Sequence, residues 1–117
     1  MATLAVVGEN LVVKMSWFER LEACHSDVSV RRSGVRDVRV VDTAWPELRG
    51  VRAPGTGIPG VVAVGTRRGG FGKDFAVVHG KGPAVVVELE GEKYARLVVT
   101  TEDAGALART VTGTPGN

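Results

Sequence analysis

The chain has 117 residues, 44% of them hydrophobic and 24% charged, with fifteen Lys and Arg against thirteen Asp and Glu for a net charge of +2. This is the size and composition of one ordinary globular domain able to bury a core without metals or disulfides, and a single cysteine, Cys24, excludes an internally stapled scaffold. So small a charge excess and an aromatic content of 5% argue against a nucleic-acid binder.

The first ten residues lack the basic flank and long apolar stretch of a secretory leader, and no apolar run is long enough to span a bilayer. The expectation is a cytoplasmic protein without a transmembrane segment, with a peripheral place at the membrane left open. A single domain is expected over 1–113, followed by a frayed tail, 114–117.

Leu4–Val7 and Leu11–Met15, separated by Gly8-Glu9-Asn10, predict a first hairpin. Ser16-Trp17-Phe18-Glu19 has the form of a capping box, and Trp17, Leu21 and Cys24 follow at helical spacing. A short helix of about two turns is expected there. Val28–Arg31 alternates as a half-exposed strand, and Val35–Asp42 predicts another, with Val38 and Val40 on one face and Arg39 on the other. Thr43–Pro59 holds Pro46, Pro54, Pro59 and several glycines and reads as a long ordered loop.

Strand signals return at Val61–Thr66, at Lys73–His79 across a Gly69-Gly70 turn, and at Ala84–Glu90 and Tyr94–Thr100, which form a hairpin around Gly91-Glu92. Ala104, Leu107, Ala108 and Val111 then recur at helical spacing, with Asp103 placed to cap the helix and Gly113 and Pro115 to end it. Closely spaced hairpins without strand–helix alternation favour a mainly β fold, an antiparallel sheet or barrel that hides its edges and is closed at one end by the C-terminal helix.

From Arg52 the sequence runs R-A-P-G-T-G-I-P-G-V-V-A-V-G-T, then Gly72-Lys73-Asp74-Phe75-Ala76-Val77, Ala84–Leu89, Tyr94–Val99 and Thr101-Glu102-Asp103. This series resembles bacterial pleckstrin-homology-like (PH-like) domains. It departs from their pattern at Ala76, where an aromatic is expected beside Phe75, and at Ala104, where Pro is expected after Asp103. The resemblance implies a strongly bent antiparallel sheet or barrel of about seven strands with a C-terminal helix over one end. It also implies a binding or self-associating module without catalytic activity; no cofactor or metal is expected.

Several motifs bear on chemistry. Gly55-Thr56-Gly57-Ile58-Pro59-Gly60 matches G-x-G-x-x-G, but the strand before and helix after that a dinucleotide site needs are missing, and a stiff glycine-proline loop is the better reading. Arg67, Arg68 and Lys73 surround a glycine-rich turn and form the candidate anion- or partner-binding cluster on the 65–73 hairpin. Trp45, Arg49 and Arg52, in the 43–59 segment, form the candidate interface loop. His25, His79 and Cys24 are too few and too poorly spaced for zinc, and adjacent Cys24 and His25 point apart on a helix. Glu88 and Glu90 share a strand face opposite Val85, Val87 and Leu89 and are expected to point to water.

The leading expectation is a non-catalytic interaction or scaffold domain with a protein partner, self-association included. The alternatives are a module for phosphate or an anionic lipid surface through the 65–73 hairpin, and a small-molecule barrel or small enzyme.

Overall fold

The computed structural model describes residues 3–15, 28–58 and 61–112, without the side chains of 51–56, 110 and 112. The expected Trp17–Cys24 helix, the Cys24 and His25 readings and the 114–117 tail lie outside the described residues.

The fold is mainly β with a C-terminal helix. The strands are β1 (Thr3–Val7), β2 (Asn10–Lys14), β3 (Val28–Arg31), β4 (Val35–Val41), β5 (Val51–Ile58), β6 (Val62–Gly69), β7 (Gly72–His79), β8 (Ala84–Leu89) and β9 (Arg96–Thr100), followed by helix α1 (Ala104–Thr112). They form a three-stranded sheet, β1-β2-β3, and a six-stranded sheet, β4-β8-β9-β7-β6-β5. The two sheets do not close into a barrel, and the strands exceed the seven expected.

Pairing is antiparallel except at one place: β7 and β9 run parallel, with Phe75 beside Leu97 and Val77 beside Val99. The chain places β9 between β8 and β7, so the β8–β9 hairpin turns back into the sheet instead of extending it. Local turn chemistry predicts the hairpin but not which strand it docks against.

The segment read as a loop, Thr43–Pro59, is a correction. It contains a single 3-10 turn at Trp45–Glu47 and the whole of β5. Pro54 is accommodated because β5 is an edge strand and its register against β6 shifts between Arg52 and Gly55. The glycines of the G-x-G motif sit in the strand, with Gly55 opposite Gly65.

The main core lies between the sheets. Leu4, Leu11, Val13, Val28 and Val30 of the small sheet meet Val64, Phe75, Val77, Val85, Val87, Leu97 and Val99 of the large one, and Leu107 and Val111 of α1 complete the cluster. Phe75 is fully buried and packs edge-on against Tyr94, ring centroids 5.5 Å apart. Helix α1 begins as expected: the Ala106 amide donates to Asp103 Oδ1 at 3.0 Å, satisfying an N-terminal N–H that has no helical acceptor. No described helix is long and apolar enough to cross a membrane.

Candidate functional site

Opposed residues on neighbouring strands share a face of the sheet. In the six-stranded sheet the outer face, away from the small sheet, therefore carries Ala63, Gly65 and Arg67 of β6, Asp74, Ala76 and Val78 of β7, Arg96 and Val98 of β9, Ala84, Val86 and Glu88 of β8, and Asp37, Arg39 and Val41 of β4. Half of this face is a second apolar cluster, Ala63, Ala76, Val78, Ala84, Val86 and Val98, covered by Ala44, Trp45 and Leu48. The Trp45 indole N–H donates to the Gly80 carbonyl at 2.8 Å, fixing the covering segment to the β7–β8 turn.

The other half is a transverse row of alternating charge. Arg67 opposes Asp74, Asp74 opposes Arg96, and Arg96 opposes Glu88. Glu88 accepts from Arg39 at 2.6 Å and from Arg96 at 3.1 Å, so it does not point to water as expected, whereas Glu90 forms an exposed pair with Arg36 at 2.8 Å. The covering segment joins the same row. Arg39 donates to Glu47 at 3.0 Å, Arg96 donates to the Glu47 carbonyl at 2.8 Å, and Arg49 grips Asp74 with two bonds of 2.7 and 3.1 Å.

These pairings shift ionisation. Burial pushes Glu88 upward, but the bonds from Arg96 and Arg39 outweigh it and hold its carboxyl below the ordinary value. The Asp74 bond raises Arg49 and the Glu88 bond raises Arg39, in each case against burial. A row of mutually paired charges thus fixes the covering segment.

The candidate cation cluster is divided by the pleat. Arg68 opposes Lys73 on the inner face, and Arg67 lies on the outer face. Arg67 donates to the carbonyls of Arg49 and Gly50, both at 3.0 Å, and so serves the fold. The hairpin turn itself is clasped. Phe71 lies against Gly50 and Gly69, and the Arg49 guanidinium stacks on its ring at 4.2 Å. Lys73 stands 5.8 Å from the Tyr94 ring.

Of the candidate interface loop, Trp45 and Arg49 are thus engaged internally. Arg52 pairs through its backbone with Arg67, and its side chain lies outside the described residues. Sequence reasoning missed Arg39, Glu47, Asp74 and Arg96. The available signal was the unbroken apolar run Ala84–Val87 in β8, which marks a strand buried on both faces and so a second covered face.

At the opposite edge, β4 has no strand on its outer side among the described residues. Val40 is 50% exposed there. A depression of about 570 Å³ beside the strand is lined by Arg32, Ser33, Val35, Arg36, Val38 and, from α1, Val111. Among the described residues no His, Cys, Asp or Glu side chains group closely enough to hold a metal ion. No family model, curated protein or solved structure matches the chain.

Proposed function

We propose that this chain is a non-catalytic, PH-like interaction module whose contact surface is the free edge of β4. The observation that carries the reading is the edge itself: a strand paired on one side only among the described residues, with an exposed valine and a groove running alongside. The main-chain groups along such an edge are a template for another strand, and the side chains beside it supply selectivity. The ionised groups of the covered face support the same reading, because they bond one another. The order of strands followed by a C-terminal helix supports the PH-like part of it.

The anion-binding alternative has less support. Its three cations do not share a face, and Arg67 is committed to backbone carbonyls. Arg68 and Lys73 remain on one face as a reduced version of that patch.

Capture experiments from an extract of the source cells test the proposal. Val40→Lys places a charge at the edge without disturbing the core. The parent chain is expected to retain specific proteins that Val40→Lys loses and that a double Arg68→Ala, Lys73→Ala variant keeps. Identical retention by the parent and Val40→Lys would sink the edge reading. Binding to anionic vesicles that depends on Arg68 and Lys73 and collapses with salt would move the function to the hairpin.

A further inference from the structure

We infer that the occupant of the β4 edge is a second copy of this chain, paired antiparallel about Val38 so that two six-stranded sheets become one. The inference rests on the edge reading above and adds the partner and the register.

The argument comes from the symmetry of β4. A two-fold axis perpendicular to a sheet makes one residue oppose its own copy, and every opposed pair then shares a face. With the axis at Val38, Asp37 of each copy opposes Arg39 of the other, and the bulge at Arg36 falls just beyond them, beside Val40 of the other copy. Shifting the axis to Asp37 opposes two aspartates, and shifting it to Arg39 opposes two arginines. An axis at Val40 sets Arg39 against Val41 and leaves Asp37 outside the strand pairing. Val38 is thus the centre that sets unlike charges against each other.

The charge row leads to the same place. Asp37 and Arg39 lie on the outer face with Glu88, and the row reaches the free edge at Asp37. Its carboxylate is 58% exposed and stands 3.6 Å from Arg39 Nε of its own chain. In the proposed pairing Asp37 gains Arg39 of the second copy, and the alternation of sign crosses the two-fold axis. Edges that proteins protect from pairing carry like charges, which repel a copy of themselves. Here the two charges on this face are opposite, and antiparallel pairing satisfies both. The bulge lies between Val35 and Asp37, so the regular pairing about Val38 is the short stretch Asp37–Arg39 of each copy. Val40, on the inner face, lies beside the bulge at Arg36 of the other copy.

The test uses the full chain. Sedimentation equilibrium should show a reversible dimer at about 0.1 mM, a weak association in keeping with the small area of a strand-edge contact. Asp37→Arg, at a side chain already exposed, should raise the dimer dissociation constant about tenfold or more by opposing Arg39 with arginine. Position-specific crosslinking reads the register directly. In a Cys24→Ser background, Val38→Cys brings two thiols together on the axis, where opposed Cα atoms fall within disulfide range. Val40→Cys is the more exposed site but lies beside the bulge at Arg36. The register predicts that Val38→Cys forms the disulfide dimer about tenfold faster, whereas random collision favours Val40→Cys.

A monomer at that concentration, or faster crosslinking at Val40→Cys, overturns the inference. A monomeric chain that still captures other proteins through an edge sensitive to Val40→Lys loses only the second-copy partner. Loss of both dimer and edge-dependent capture removes the edge reading as well.

Discussion

The two faces of the six-stranded sheet are buried to the same degree near the middle yet built differently. Val87 on the inner face and Val86 on the outer face are both fully inaccessible. The inner face meets a second sheet and a helix through large side chains, Phe75 and Leu97 among them. The outer face is covered by one irregular segment, and its apolar half is mostly alanine and valine. Small side chains let a single strand of chain lie close against a sheet, and ion pairs then fix that chain where apolar area is scarce. One face is held by area and shape, the other by hydrogen-bonded charge.

Deleting the largest inner side chain should give the largest effect. Phe75→Ala should cost about 3–5 kcal/mol, because a fully buried aromatic leaves a cavity between two sheets. Val98→Ala removes much less volume from the outer face and should cost about 1–2 kcal/mol. Urea unfolding followed by tryptophan fluorescence measures both. Equal losses would mean that the covering segment packs the outer face as tightly as the small sheet packs the inner one.

Gly50 attaches the covering segment to the 65–73 hairpin, and its substitution should come next in size. Its φ of +78° is one that side chains rarely adopt, and an added Cβ would strike the Arg68 carbonyl oxygen and lie 2.7 Å from Phe71 Cζ. Gly50→Ala should therefore cost at least about 1–3 kcal/mol from backbone strain. Denaturant unfolding checks the value, and a loss below about 0.5 kcal/mol would show that the clasp rearranges freely.

The difference between the faces also explains what could be read from the sequence. The strands of the inner face were legible because alternation and turn residues are local: the hairpin around Gly91, the strand from Val35 and the helix capped by Asp103 all stand as expected. The outer face was not legible, because its cover was hidden. Trp45, Leu48 and Arg49 stand in a segment that reads as a loop, and nothing local shows that it lies down across the sheet; β5 was missed separately, because an irregular edge strand tolerates residues such as Pro54 that mark loops. Without that cover Glu88 looked exposed and Arg67 looked available. The parallel contact of β7 with β9 depends on long-range docking that no local signal encodes. The free edge of β4 was equally invisible, because a strand's neighbours are a property of the whole sheet.

Acid should separate the faces more gently. Folding lowers the Glu88 carboxyl below its ordinary value of 4.5, so the unfolded chain binds more protons between the two values. The contribution of Glu88 is therefore fully present above the ordinary carboxylate range and lost as pH falls through the folded value. Glu88→Gln should be less stable than the parent at about pH 7, and the gap should close as pH falls through the folded value of Glu88. Unfolding at a series of pH values measures this. A gap that stays constant would mean that Glu88 contributes by packing alone.

The smallest effect distinguishes two adjacent arginines. Arg67 and Arg68 are neighbours in sequence, but strand period puts them on opposite faces. Arg67 fixes the covering segment through the carbonyls of Arg49 and Gly50. Removing it leaves two acceptors close enough to the surface for water to replace part of the loss, so Arg67→Ala should cost about 1 kcal/mol. Arg68 is exposed, and Arg68→Ala should change stability by less than about 0.5 kcal/mol. The pair is best compared by urea unfolding of both variants in the same buffer at two salt concentrations. Raising salt should leave the Arg67 loss largely intact, because its acceptors are neutral carbonyls and not carboxylates. Equal, salt-sensitive losses at the two positions would mean that both act as surface charges and that Arg67 does not fix the cover. The outer face would then depend on Arg49, Asp74 and the Glu88 network without Arg67.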